Sequence, residues 1–165
     1  MKENEMNKTL SGLYGGFLAT GPMTFGMMEI QRRLSNAEKY SLPPATFSFR
    51  MLTRVVPNYE PSEAIQAALT LVAHFSYGSL MGATYAWKFS DLKMSPLLKG
   101  TAFGVVVWAG RYLVLSPSLK PRAQAPNMPS SRNWMMFVNH LVWGMALGYA
   151  EAQFRQIETA RVVRA

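Results

Sequence analysis

The chain has 165 residues and a net charge of +8, and 49% of its residues are hydrophobic although its mean hydropathy is near zero. It contains no cysteine, which excludes disulfides and thiolate chemistry. The excess of basic residues is compatible with nucleic-acid binding, but no aromatic-plus-basic nucleic-acid motif accompanies it. Because the charges lie between apolar blocks, we interpret the lysines and arginines as determinants of membrane topology and of contact with anionic lipid.

Four long apolar blocks organise the chain. A membrane-spanning helix needs roughly 20 mostly apolar residues, and the blocks predict spans at residues 10–30, 65–87, 97–115 and 134–152. A soluble four-helix bundle is the alternative, but its helices need a charged face. The second block has no charge between Ile65 and Trp87. We therefore expect an all-α, four-transmembrane-helix bundle in which residues 1–165 form a single integral membrane domain.

The first block and the loop after it contain two local signals. Gly21-Pro22 predicts a kink, because proline lacks a backbone donor. In the loop, the residues from Phe47 to Val56 place apolar and basic side chains on different faces of a helix. That pattern predicts a short interfacial amphipathic helix in the first loop, and a plain loop is the alternative.

The second and fourth blocks share the pattern His-x3-Gly-x3-Gly, which begins at the only two histidines, His74 and His140. The first and third blocks each begin with Gly-x3-Gly. Superposing these patterns divides the chain into two parallel two-helix repeats, for which we expect a pseudo-two-fold axis along the membrane normal. Glycines four residues apart share one helix face and let backbones approach closely. The helix-packing glycines expected on this basis are Gly12, Gly16, Gly78, Gly82, Gly100, Gly104, Gly144 and Gly148.

Both histidines are candidate site residues. A step of four residues turns only about 40° around a helix, so each histidine should face the bundle interior with its glycines, at equal depth. A hydrogen bond to another helix is the simplest role for a neutral histidine. The sharper hypothesis is a b-type haem whose iron is ligated by His74 and His140, with Arg111 near a propionate. A small transporter or a proton path through the histidine pair is a further alternative.

Two other observations limit the function. Glu29 and Arg111 lie toward the same side of the bundle, where a structural ion pair between them is the simpler interpretation of both. The sequence has no P-loop, no G-x-S-x-G, no H-E-x-x-H and no carboxylate pair within the spans. We therefore do not expect an enzyme, and no cofactor other than haem is suggested.

Loop charges leave the orientation nearly balanced. With four spans, the side that holds the termini and the middle loop has eight lysines and arginines, and the opposite side also has eight. Short loops weigh more in the positive-inside rule, and the short middle loop contains Lys88, Lys93 and Lys99. This favours a multi-pass protein with both termini in the cytoplasm.

The order of four motifs resembles a known family. The motifs are Leu42-Pro43-Pro44, His74-Phe-x-Tyr-Gly-x3-Gly, Gly100-x2-Phe-Gly-x3-Trp and His140-Leu-x-Trp-Gly-x3-Gly. Together they resemble the YagU-like bacterial inner-membrane proteins of uncharacterised function, over most of the chain. The resemblance implies a four-span protein of the bacterial inner membrane and transfers no catalytic residues. From the residues themselves we expect a structural or accessory subunit that contacts the lipid bilayer and a membrane-protein partner or a second copy of itself.

Overall fold

A computed structural model of the chain describes residues 2–33, 61–110 and 130–164. Most of them belong to four helices, α1 (Lys2–Arg33), α2 (Glu63–Lys88), α3 (Pro96–Ala109) and α4 (Ser130–Arg164). No strand occurs within these ranges, so the expected all-α, four-helix architecture is confirmed. The amphipathic helix expected near residues 47–56 lies outside the described residues.

Serine caps determine where α2 and α3 begin. The side chain of Ser62 accepts a hydrogen bond from the Ile65 nitrogen (3.4 Å), and that of Ser95 accepts one from the Leu98 nitrogen (3.3 Å). Such caps satisfy backbone donors that have no partner in the first helical turn. Pro96 then occupies the first turn of α3, where its missing N–H costs no helical bond. α1, in contrast, continues through Pro22 as one helix, so the expected kink does not break it.

The helices pack as two antiparallel pairs joined through α1 and α4. α1 contacts α2 along one side and α4 along another, whereas α3 packs on α4 and the contact between α2 and α4 is slight. An aromatic cluster connects the helices near the 89–95 turn, where the Phe103 ring lies 5.4 Å from that of Tyr85 and 6.1 Å from that of Trp143. The buried core comprises Ala19, Met23, Met27, Tyr85, Phe103, Met135, Met136, Trp143 and Leu147.

The expected membrane spans map onto these helices. Residues 10–30, 65–87 and 134–152 lie inside α1, α2 and α4, while the span expected at 97–115 begins in α3 and extends past its described end. Over the described ranges, no helix combines the length and the apolar character needed to cross a membrane.

Candidate functional site

The eight glycines singled out in the sequence lie where helices of one pair cross. A Cβ atom added to Gly12 would overlap the carbonyl oxygen of Gly82, and one added to Gly16 would overlap that of Gly78. In the second pair, a Cβ on Gly100 would overlap the carbonyl oxygen of Gly144. Because these contacts are made by backbone atoms, no side chain can move to make room. Four of the remaining crossing glycines have the same kind of backbone neighbour: Gly82, Gly104, Gly144 and Gly148. Gly78 differs, because a Cβ atom there would overlap the side-chain hydroxyl of Thr20.

The two crossings differ in register by one helical turn. In the first pair, Gly12 faces the carbonyl of Gly82. The residue equivalent to Gly82 in the second repeat is Gly148. In the second pair, however, Gly100 faces the Gly144 carbonyl, four residues earlier. Four residues correspond to about 6 Å along a helix. The same glycine pattern therefore forms both crossings, but the helices of the second pair are displaced along each other by one turn relative to those of the first pair.

The two histidines lie at one level of the bundle but have different partners. The His74 Nδ1 atom is 3.2 Å from the hydroxyl of Thr24 on α1. The His140 Nδ1 atom is 2.7 Å from the carbonyl oxygen of Met136, in the preceding turn of its own helix. Asn139, next to His140, contacts Gly26 of α1, so both histidines lie at the level of Thr24 to Gly26.

α1 lies between the two helices that carry the histidines. Thr20 illustrates this arrangement, because it contacts Gly78 of α2 and its hydroxyl accepts a hydrogen bond from Trp143 Nε1 of α4 (3.3 Å). No described contact brings the imidazoles together. Arg111 lies outside the described residues, and Glu29 instead pairs with the nearby arginines of its own helix, Arg32 and Arg33. The haem and proton-path hypotheses therefore stay predictions.

A network of charged side chains connects three helix ends at the 89–95 turn. The Lys8 ammonium lies 2.5 Å from one Asp91 carboxylate oxygen, and Arg155 Nη1 lies 3.2 Å from the other. Lys8 belongs to α1, Asp91 to the turn between α2 and α3, and Arg155 to α4. The hydrogen bond from Lys8 lowers the pKa of Asp91 below its ordinary value, and the charges of Lys8 and Arg155 lower it further. Asp91 thus remains ionised and ties the three segments together.

Two more charged residues lie deeper at the same end. Lys99 is 7% exposed, and its ammonium donates a hydrogen bond to the backbone carbonyl of Ser90. Glu151 is 1% exposed, and Arg155 Nη1 lies 3.7 Å from its Oε1 atom. That distance makes an ion pair without a hydrogen bond, and none of the described residues donates a hydrogen bond to Oε1. Buried charges need such partners, because an unsatisfied charge loses its hydration without compensation.

These residues line an open groove of about 590 Å³. We call it the charged groove and define it by Lys99, Glu151, Arg155, Gln156 and Thr159. Its volume lies in the range of small-molecule sites. The groove combines two cationic side chains, one carboxylate and two neutral polar side chains, which suits a ligand with both positive and negative groups.

The register shift explains why the groove exists. Gly148 faces the carbonyl of Pro96, the first residue of α3, so α4 continues past the start of α3 from that point. On its other side α4 remains covered by α1, where Gly15 contacts the backbone and Cβ of Glu151. One flank of α4 is therefore covered and the other is open beyond Gly148.

In the sequence, Lys99 and Arg155 count among the loop and tail charges, and Glu151, within the span expected at 134–152, has no expected role. A signal for them was present, because Lys99 directly precedes the crossing glycine Gly100, and Glu151 follows three residues after Gly148. A charge so close to a helix crossing lies near the packed interior. Among the described residues, no group of three or more histidine, cysteine or acidic side chains is placed to hold a metal ion. Comparison of the chain with protein-family models, with curated proteins and with solved structures gave no match.

Proposed function

We propose that this chain is a small membrane-embedded helix bundle that acts as a structural or accessory subunit in the bacterial inner membrane. The observation that carries the proposal is the inverted polarity of the bundle. Apolar side chains cover much of its outer surface, while polar side chains are buried between its helices. Water-soluble helix bundles have the opposite arrangement.

The outer surface supports contact with lipid. Large apolar side chains are exposed on every described helix, and an outer surface with this many of them is uncommon on soluble monomers. Phe25 is 72% exposed on α1, and Leu80 is 60% exposed on α2. Further examples from the four helices are Tyr14, Phe17, Leu18, Met28, Leu71, Val72, Leu97, Leu98, Val106, Trp134, Val142 and Tyr149.

The interior supports the same proposal. Thr20 and Asn139 are buried, and each donates a side-chain hydrogen bond to a carbonyl of its own helix, at 2.7 Å to Gly16 and 2.9 Å to Met135. Polar groups within a bilayer face the protein and find internal partners in this way. Hydropathy averaged over a helix includes these inward residues, whereas lipid contacts only the outward ones.

Exposed hydroxyl groups are also satisfied without water. Thr70, Thr84 and Thr101 each donate a hydrogen bond to the carbonyl four residues earlier, at 2.7, 3.0 and 2.8 Å. Such bonds compensate the hydroxyl within its own helix. This arrangement suits side chains that face hydrocarbon, where an unpaired hydroxyl is costly.

A stripe on α1 supports the subunit role. Leu18, Phe25 and Met28 are exposed and follow a spacing of three and four residues with Gly21 between them. Side chains at this spacing form the contact face of helices that pack side by side. A Cβ atom on Gly21 would meet no atom of the described residues within 4 Å, so a partner helix has room to approach there. The resemblance to the YagU-like proteins remains a proposal of the same kind.

Two experiments test the two parts of this proposal. Membranes from cells that express the chain are washed with alkaline carbonate, and the chain is expected to stay in the pellet while peripheral proteins are released. Its recovery in the supernatant would contradict membrane embedding. The subunit role is tested by purification from native membranes in mild detergent. Phe25→Ala should reduce the recovery of a partner, Leu80→Ala on α2 should not, and a chain that always isolates alone argues against a partner.

A further inference from the structure

We propose that the charged groove binds a phosphate ester that bears a primary ammonium, the chemistry of a phosphoethanolamine group. The lipid form of this ligand, phosphatidylethanolamine, is the form we favour, and that choice rests on the membrane embedding proposed above. The groove chemistry itself does not depend on it.

Glu151 carries the ammonium half of the proposal. Glu151 is buried and is one of the residues that line the groove, and no described residue donates a hydrogen bond to its Oε1 atom. An ionised carboxylate accepts several hydrogen bonds, and Arg155 lies too far from Oε1 to donate one. A primary ammonium offers three N–H donors and a compensating charge. A quaternary ammonium offers no donor and leaves Oε1 unsatisfied.

Lys99 and Arg155 carry the phosphate half. The described hydrogen bond of the Lys99 ammonium to Ser90 uses one of its three N–H donors. The described contacts of Arg155 with Asp91 and Glu151 all use Nη1, although a guanidinium has five N–H donors. Arginine and lysine together provide the forked and point-charge contacts that phosphate groups receive in proteins.

The position of the groove favours the lipid form. It opens where α4 passes the start of α3, and Leu97 and Leu98, next to Lys99 in sequence, are exposed apolar residues. A ligand with a polar headgroup and acyl chains matches this combination. Trp87 and Lys88 mark the same end of the bundle, with the Lys88 ammonium 3.9 Å from the Trp87 ring centre, and tryptophan is frequent at the membrane interface.

The duplication shows that the fold does not require these charges. Aligned by the crossing glycines, Lys99 corresponds to Ser11, Glu151 to Tyr85, and Arg155 to Phe89. The first pair thus forms the same kind of glycine crossing with a hydroxyl and two aromatic rings in place of three charges. These charges are dispensable for the crossing, and they leave a buried carboxylate oxygen without a donor among the described residues. A ligand explains both observations.

The test compares lipids with identical acyl chains on the full chain purified in mild nonionic detergent. Phosphatidylethanolamine, phosphatidylcholine and phosphatidylglycerol are added separately, and bound lipid is counted by native mass spectrometry. We expect phosphatidylethanolamine to bind roughly tenfold or more tightly than either of the others, since it alone supplies N–H donors to Glu151 together with a phosphate. Equal affinity for the ethanolamine and choline lipids, or a preference for phosphatidylglycerol, would overturn the proposal.

Single-residue variants test whether the groove residues cause the preference for phosphatidylethanolamine. Glu151→Gln should reduce the preference for ethanolamine over choline to about threefold or less, while Glu158→Gln, an exposed ion-paired residue two turns along α4, should retain it. Arg155→Gln should weaken binding of both lipids. If Glu151→Gln fails to fold, the lipid comparison on the parent chain still decides. A parent-like preference in a folded Glu151→Gln variant would overturn the proposal.

Soluble O-phosphoethanolamine distinguishes the source of the ligand. If O-phosphoethanolamine binds the parent chain and Glu151→Gln weakens that binding, the proposed groove chemistry is supported with a soluble ligand. This conclusion holds even if alkaline carbonate releases the chain from membranes. If the chain stays in the membrane and the three lipids bind equally, this inference fails while the proposed membrane role stands.

Discussion

The α1–α2 and α3–α4 pairs cross through the same glycine pattern, but the residues at the end of the crossing differ between the two pairs. In both, small residues let two backbones touch, so the crossing depends on glycines and on few other side chains. In the first pair, the end of the crossing is closed by Tyr85, stacked on Phe89 with ring centres 6.4 Å apart. In the second pair, the same positions hold Glu151 and Arg155. A crossing determined by glycine therefore leaves the residues at its end free to diverge.

The one-turn shift in register and the short length of α3 increase the difference between the two pairs. α1 begins ten residues before Gly12, whereas α3 begins four residues before Gly100. Together with the one-turn shift, the shorter helix leaves α4 open beyond Gly148. The same duplicated unit therefore gives a closed aromatic end in one pair and an open charged groove in the other.

The largest expected effect concerns the crossings themselves. Gly82→Ala in the first pair and Gly144→Ala in the second should each lower the free energy of unfolding by about 1–3 kcal/mol, because a methyl group meets backbone that cannot yield. Gly110→Ala is the control, since its helical backbone has open space around it, and it should be neutral or stabilising by up to about 1 kcal/mol. Unfolding in detergent measures all three, and similar values for Gly82→Ala and Gly110→Ala would contradict the account of the first crossing.

A smaller effect on stability is expected when the charged residues at the end of the second crossing are replaced by the equivalent residues of the first. The combined changes Lys99→Ser, Glu151→Tyr and Arg155→Phe give the second pair the residues of the first. The chain should keep its helical content, measured by circular dichroism, because the glycine crossing is unchanged. It should lose the selectivity for phosphatidylethanolamine. Retained selectivity would show that the groove residues are not its source.

Asp91 should have a modest and pH-dependent effect. Asp91→Asn removes the carboxylate that joins Lys8 and Arg155, and ion pairs this exposed are each worth about 0–1 kcal/mol. The pKa of Asp91 is lower in the folded chain than in the unfolded chain. Its stabilisation is therefore present above the ordinary aspartate pKa and is lost as the pH falls through the lower, folded value. Melting temperatures of the parent and the variant should converge in acid, and a constant difference would contradict the ion-pair account.

The smallest expected effect is a gain. The Tyr85 hydroxyl is buried, and it has no hydrogen-bond partner in the part of the chain that the structure describes. Tyr85→Phe should raise the free energy of unfolding by up to about 1 kcal/mol, because it removes an uncompensated polar group and keeps the ring. Tyr14→Phe, at an exposed ring, should leave stability nearly unchanged. A loss of stability in Tyr85→Phe would mean that the hydroxyl has a partner.

Local patterns in the sequence predicted the helices and the glycine contacts, because both depend on residues that are close together in the chain. Helix existence followed from apolar blocks and caps, and the glycines that touch at the crossings followed from their four-residue spacing. The common level of His74 and His140 followed from the duplication. These features depend on residues close together in sequence.

Long-range features were not predictable in the same way. The duplication suggests that α3 should pack along α2 as α1 packs along α4, but the described contact between α2 and α3 is limited to the turn end, around Phe103. The one-turn shift and the burial of Lys99 and Glu151 depend on how whole helices slide past each other. No short pattern in the sequence encodes that sliding, so the charged groove was missed.

The inverted polarity is tested most directly by attaching a spin label to single cysteines, which the cysteine-free chain allows without background. Labels replacing Leu80, Val106 and Val142 on the outer apolar surface, and Met94 in the turn, are compared in lipid vesicles. We expect the first three labels to collide with oxygen far more than with a water-soluble nickel complex, and the label at Met94 to do the reverse. Equal access of the nickel complex to all four positions would contradict a bundle embedded in lipid.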